Sequence, residues 1–296
     1  MKKCVIIVNT MSGNSSIISE DAMKELFCKE CDTRILKITE KTILPDLYDY
    51  DRIVVCGGDG TLHNILNNKI NPTAELIYCP SGTLNELAAG NSHKKEYIVH
   101  DVAKANEHMF SYVCACGTFT SLGYETKNKH KRVFKSMAYL WNVIKTYKIH
   151  EISAQIDTDN RTEEGVYSLI MVIDSPQCFG FKFNRMYKLD DGKLHILAIK
   201  APPHKNFFGR LKLFFPLFRA FFVGFRREYK SKKMFFREVV NAKITLQNEV
   251  NFCMDGELVK LSDTVQISPS KLATPIHVVT TQAVGEYIKK VNGITF

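Results

Sequence analysis

The sequence contains no apolar run near the ~18 uncharged residues that a membrane-spanning helix needs. It also has no repeat of fixed period and no low-complexity linker. Transmembrane, collagen-like and disordered classes are therefore set aside. The basic start, Met1-Lys2-Lys3, is followed by only five apolar residues, Cys4 to Val8. A secretory signal needs a longer stretch, so the chain reads as cytoplasmic with a mature N-terminus. Cysteine occurs nine times, and an odd number without secretory context favours reduced thiols. Cys28 and Cys31 form a lone Cys-x-x-Cys, and Cys114 and Cys116 are one residue apart. A zinc site would need a second pair brought near by folding, so small buried thiols are expected. The nine histidines form no His-x-x-x-His pair, and the single tryptophan, Trp141, reads as packing.

What is present is an ordinary globular balance of 45% hydrophobic and 24% charged residues over 296 positions. That length suits about two domains, with a core that needs no disulfide. The formal charge of +9 is not spread evenly. From Lys205 to Arg237 there are ten Lys/Arg against one acid, Glu228, so this stretch alone carries the excess and the remainder is neutral. The same stretch holds ten of the nineteen phenylalanines.

The first third alternates strand, loop and helix. Val5–Val8, Thr33–Thr39, Arg52–Cys56 and Leu76–Cys79 read as strands, and Ala22–Glu30, Leu62–Asn68 and Leu84–Ala89 as helices. That alternation predicts a parallel α/β domain. Beyond residue 112 the signals are mostly strands: Tyr112–Thr120, Glu151–Asp157, Tyr167–Asp174, Lys193–Lys200, Ala242–Gln247, Val250–Met254 and Thr264–Ile267. Helical spacing interrupts them only at Val133–Lys148 and Phe207–Phe225. The expected organisation is an α/β domain over 1–112, rejoined by a tail helix at Gln282–Val291 within 281–296, and a β-rich, sandwich-like domain over 113–280.

Gly57-Gly58-Asp59-Gly60-Thr61 lies between a strand and a helix. Glycines allow a tight turn and close approach of a phosphate, and the following helix offers amides and the positive end of its dipole. Asp59 repels phosphate, so it fits through Mg²⁺ or water, or as a brace for the loop. Pro80-Ser81-Gly82-Thr83 is a second such turn, where Thr83 could bond a phosphate or cap its helix. Asn9-Thr10-Met11-Ser12-Gly13 is a third. Loops that follow parallel strands share one sheet edge, where open α/β sheets bind ligands, and this co-location points to a nucleotide site. Asp255-Gly256-Glu257 offers two carboxylates around a glycine. It is either a solvated hairpin turn or the base that phosphoryl transfer to an alcohol requires. Asp190-Asp191-Gly192 is likewise a hairpin turn or a hard-cation site.

Taken together, these strings resemble the bacterial branch of the diacylglycerol kinase catalytic family, lipid kinases related to the sphingosine kinases. Asn9–Gly13 resembles the family's Asn-Pro-x-Ser-Gly, Gly57–Thr61 its Gly-Gly-Asp-Gly-Thr, and Pro80–Ala88 its Pro-x-Gly-Thr-x-Asn-Asp-x-Ala. Asp101–Asn106 is similar to its Asp-Ile-Gly-Lys-x-Asn, and the stretches at Tyr124–Thr126 and Met137–Leu140 are similar to the bacterial members. The resemblance implies an α/β domain and a β-sandwich domain, and transfer of the ATP γ-phosphate to a lipid hydroxyl. It implies that Asn9, Thr10, Met11, Ser12, Gly13, Thr39, Gly57, Gly58, Asp59, Gly60, Thr61, Leu62, His63, Asn64 and Thr83 line the nucleotide. Glu257 would be the proton acceptor, with Asp255 and Asp59 assisting. Asp191 would hold a structural Mg²⁺ with the backbone carbonyls of Lys188 and Lys193. Three departures stand out: Thr10 replaces proline, His63 replaces asparagine, and Glu86 replaces an aspartate. NAD kinases share Gly-Gly-Asp-Gly-Thr, so an NAD kinase is the enzymatic alternative, and a non-catalytic lipid-binding protein of the same fold is the other.

Phe207, Phe208, Leu211, Phe214, Phe215, Phe218, Phe221, Phe222 and Phe225 recur at spacings of three and four. This is an amphipathic helix that Pro216 should kink or end. Its apolar face either packs on the β domain or, with its bases, meets an anionic membrane surface. A peripherally membrane-associated cytoplasmic enzyme is therefore expected. Nucleic acid is set aside for want of a base-reading motif, and a homodimer is compatible with the sequence.

Overall fold

The computed structural model describes residues 1–12, 20–39, 42–91, 94–118, 120, 148–159 and 161–291. The chain forms two compact units, Met1–Asp101 with Lys271–Phe296, and Val102–Ser270.

In the first unit the alternation holds. It runs β1 (Lys3–Asn9), α1 (Glu20–Phe27), β2 (Asp32–Ile38), β3 (Arg52–Gly57), α2 (Asp59–Leu66), β4 (Glu75–Pro80), α3 (Glu86–Gly90) and β5 (Glu96–Ala105). The sheet order is β2-β1-β3-β4, all parallel, and residues 276–278 add parallel to β4. Cys4, Val5, Ile6, Ile7 and Val8 are all buried. An unbroken apolar run is what a parallel strand covered on both faces requires. Cys4, Ile6, Val8, Val54, Cys56, Ile77 and Cys79 form one side of the core, closed by Met23 of α1 and by Ala283 and Val284 of the C-terminal helix Thr281–Val291.

One expectation fails here. Cys4 and Cys28 form a disulfide, with Cα atoms 6.3 Å apart. The parallel sheet places the start of β1 under the end of α1, and counting cysteines cannot see that proximity. Cys31 and six further cysteines are free, the six being buried.

The second unit begins within β5. It continues through β6 (His108–Phe110), β7 (Val113–Gly117), β8 (Ile152–Thr158), β9 (Arg161–Ile173), β10 (Gln177–Cys178), β11 (Phe181–Lys182), β12 (Leu194–Lys200) and α4 (Phe207–Phe218). After α4 come β13 (Tyr229–Lys230), β14 (Met234–Val239), β15 (Ala242–Leu246), β16 (Val250–Met254), β17 (Glu257–Leu261) and β18 (Thr264–Val279). The order is β13-β14-β12-β9-β8-β15-β18, with β7 bridging β9 to β16 and β16 pairing β17. On β12, Leu194, Ile196 and Ala198 enter one core while Leu197 and Ile199 enter the other, which α4 covers with Leu213 and Leu217. The strand-rich second region is thus as expected.

Details differ for physical reasons. β9 starts at Arg161, because its polar first half continues the backbone pairing with β8, aided by the Thr162 hydroxyl donating to Asp157. β18 extends twelve residues past Ile267, through two prolines that mask it as a strand. β5 carries charges that hide its partial alternation, and β14 is buried nearly throughout although Arg237 and Glu238 break its apolar run. Pro216 neither ends α4 nor divides it. The helix runs to Phe218 and passes into a π-helical turn, Arg219–Val223, which closes at Gly224 with φ 71°. The helix expected at 133–148 and Trp141 lie outside the described residues, Lys148 excepted.

His195 on β12 is fully buried, stacked on Phe236 at 5.5 Å between ring centroids, and neither ring nitrogen has a hydrogen-bond partner. Burial pushes its pKa down to about 4, with Glu238 opposing and Lys193 reinforcing. The imidazole is therefore neutral when folded, whereas the unfolded chain takes up the proton below pH ~6.5. Stability is full above that value and falls as pH drops towards 4, by about 3 kcal/mol in all. His195→Leu is expected to flatten this slope, which urea unfolding at a series of pH values measures.

Candidate active site

β1, β3 and β4 run side by side in the same direction, so the loops after them emerge at one sheet edge. Hydrogen bonds join these loops. The Asn9 side-chain amide donates to Thr61 Oγ1 at 2.8 Å, and Asn9 Oδ1 accepts from the Met11 amide. Ser12 Oγ donates to the Asn9 carbonyl and lies 3.0 Å from Ser81 Oγ. The Ser81 amide donates to the Gly57 carbonyl at 2.8 Å. Thr10 bonds the carbonyl of Ile38, which ends β2. Ser81 and Gly82 thus stand with Thr83 in the turn that meets the first two loops.

Glycine at 58 and 82 is required by proximity. A Cβ on Gly82 would stand 2.5 Å from Gly58 Cα, and one on Gly58 would stand 3.2 Å from Gly82 Cα. The two loops touch backbone to backbone, with the Asn85 side-chain oxygen beside the contact. In α2 the first helical hydrogen bond runs from the Leu62 amide to the Gly58 carbonyl. The amides of the first turn precede it and carry the positive end of the helix dipole. Asp59 opens that helix and is buried. Its Oδ2 accepts from the Glu86 amide at 2.9 Å, so it braces the start of α3.

Thr83 does not cap α3. Asn85 adopts the left-handed conformation with φ 49°, which delays the helix to Glu86 and leaves Thr83 exposed in the turn. Leu62 and His63 point into the protein, whereas Asn64, Thr39, Thr10 and Met11 are exposed. Gly57 fits closely over Thr61, and Gly60 follows in the same turn. Gly13, and the stretches at 124–126 and 137–140, lie outside the described residues.

In the second unit, β16 and β17 form a hairpin whose turn is Asp255-Gly256, with φ 51° and 94°. Asp255 is buried and accepts from three successive backbone amides, those of Ser111, Tyr112 (3.0 Å) and Val113 (3.1 Å). Its carboxylate is therefore a structural brace. Glu257, at the start of β17, is exposed. The same hairpin thus carries one carboxylate committed to backbone and one presented outward.

The turn at Asp190 (φ 56°) and Gly192 (φ 68°) brings Asp191 Oδ1 to the Lys193 amide at 3.1 Å. Burial holds the Asp191 carboxyl above its ordinary range, against the Lys193 hydrogen bond. The Lys193 ammonium is paired with Glu238 at 2.7 Å, and Lys188 is exposed. Among the described residues no three His, Cys, Asp or Glu side chains cluster to hold a metal ion. The expected Mg²⁺ set, the Asp191 carboxylate with the backbone carbonyls of Lys188 and Lys193, contains a single carboxylate, whose Oδ1 accepts from the Lys193 amide.

Residues 3–114 match the family model described as the diacylglycerol kinase catalytic domain. A candidate lipid kinase of Streptococcus pneumoniae is 23% identical over 94% of this chain and 98% of its own. A diacylglycerol kinase of Bacillus subtilis is 22% identical over 71% of this chain and 72% of its own. A candidate diacylglycerol kinase from Bacillus anthracis superposes with a TM-score of 0.62 at 21% identity, covering 96% of this chain and 98% of that one. The resemblance carried by the motifs is thereby borne out, as is the fold.

Proposed function

With residues 3–114 matching the diacylglycerol kinase catalytic domain, we propose that the protein is a kinase that transfers the γ-phosphate of ATP to the hydroxyl of a diacylglycerol-like lipid. The observation that carries this reading is the glycine-to-glycine contact of the 57–61 and 80–85 loops at the edge of a parallel sheet. Neither glycine adds a side chain there, and polyphosphate would approach backbone amides at the N-terminus of α2. Asn9, Ser12 and Ser81 hold the three loops in register by the bonds described above. Asp59 acts by fixing α3 against α2, and Asp255 by fixing the turn that presents Glu257.

In the reaction Glu257 takes the proton of the lipid hydroxyl as its oxygen bonds to the γ-phosphorus. The bond from that phosphorus to the bridging oxygen breaks, and ADP leaves. Amides at a helix N-terminus stabilise charge on the transferring group without reorganising. ATP brings Mg²⁺ as its own complex, and no step is routed through a metal held by the protein.

The test is incubation with ATP labelled at the γ-phosphate and a total lipid extract, with NAD in a parallel reaction. Label is expected in a phosphorylated lipid identified by mass spectrometry. Label appearing in NADP, or only as inorganic phosphate, would reject the assignment.

A further inference from the structure

The Phe-rich stripe divides in two. Phe225 and Phe236 are buried, with Phe214 and Phe221 packed against the same core, and Phe235 is buried in the other. Phe207, Phe208, Phe215, Phe222 and Val223 are left outside, with Phe208 69% and Phe215 60% exposed. Positions 208, 215 and 222 are seven apart and fall on one flank of a helix. Over 207–223 that flank is roughly 25 Å long at 1.5 Å per residue. Exposed phenylalanines in a row are costly in water and mark a contact surface.

The bases divide in the same way. Lys205 pairs with Glu151, Lys230 and Arg237 pair with Glu163, and Arg219 lies over the rings of Phe225 and Tyr229. Lys212, Arg226, Arg227, Lys232 and Lys233 are exposed and have no acidic partner among the described residues. Lys212 lies between Phe208 and Phe215 in helical position, Arg226 and Arg227 follow Val223, and Lys232 and Lys233 form the turn before β14.

We propose that this flank of α4, its π-helical turn and the 226–233 loop dock on an anionic lipid leaflet. A leaflet supplies the two things the surface lacks, diffuse negative charge for unpaired cations and hydrocarbon for phenylalanine. An acidic protein groove would supply the first with less need of the second. No helix among the described residues is long and apolar enough to cross a membrane, so the contact is with the surface. The proposal stands on exposure and charge alone, and vesicle binding is measured without ATP, so it can fail independently of the kinase reading.

The full chain is sedimented with phosphatidylcholine vesicles, with and without phosphatidylglycerol. Binding is expected only when phosphatidylglycerol is present. Combined Arg226→Gln, Arg227→Gln, Lys232→Gln and Lys233→Gln is expected to weaken partitioning roughly 10²–10³-fold, from several-fold per charge near an anionic surface. In a Trp141→Phe background, Phe215→Trp is expected to show a blue-shifted emission on the same vesicles. Thermal unfolding confirms that each variant is folded. Equal sedimentation without phosphatidylglycerol, or a quadruple variant that sediments like the parent, would overturn the proposal. An unshifted Trp emission would do the same, because charge alone would then hold the protein, as at an acidic protein partner.

Discussion

Glu257→Gln is expected to abolish phosphate transfer while ATP binding stays almost unchanged. Glutamine keeps the shape of the side chain but cannot accept the hydroxyl proton. Loss of a general base typically costs 10²–10⁴-fold in rate. Glu257 is exposed, and the register of its hairpin is set by the backbone pair Met254–Glu257, so the unfolding midpoint should not move. Asp255→Ala is the contrast. It strands three amides in the interior that now share one carboxylate, and stability should fall on the order of 3 kcal/mol. Turnover, ATP titration and urea unfolding of both variants separate the proton acceptor from the brace. A Glu257→Gln enzyme with full turnover would remove the base assignment.

Gly82→Ala is expected to damage the proposed nucleotide cradle more than Gly58→Ala does. The added Cβ would meet Gly58 Cα at 2.5 Å, Asn85 Oδ1 at 2.7 Å and Gly58 N at 3.3 Å. Two of these are backbone atoms that cannot rotate away. Relief requires the loops to part, which costs about 1–3 kcal/mol of stability as overpacking and displaces the backbone proposed to receive the phosphates. ATP affinity should fall more than tenfold. Gly58→Ala meets its nearest atom at 3.2 Å, so a shift of a few tenths of an ångström suffices and the loss should be smaller. Equal effects of the two substitutions, read by calorimetric titration with ATP, would show that the close approach is not what the cradle depends on.

Much of the first unit was legible because its strands are apolar runs that end in glycine or polar loops. Val5–Val8, Arg52–Cys56 and Leu76–Cys79 each lie inside a strand of the parallel sheet. Side-chain roles were less legible, because they depend on residues distant in sequence. Asp255 looks like half of a symmetric acidic pair until its partners at 111–113 are seen. Thr83 looks like a cap until Asn85 turns left-handed. The Cys4–Cys28 bridge follows from the placement of α1 against β1 and has no local signature. The Phe stripe seemed to demand a choice between core and surface, and the helix uses opposite flanks for each.

The carboxylate of Asp255 holds backbone made more than 140 residues earlier. The outward acid two positions later therefore gains its setting only after nearly the whole second unit has been synthesised and closed. A chain whose second unit has opened keeps its glycine loops, which belong to the first unit, while the setting of Glu257 is lost. If Glu257 is the proton acceptor, turnover then depends on a contact between residues 111–113 and 255, and opening of that contact should abolish transfer while the glycine loops of the first unit stay in place.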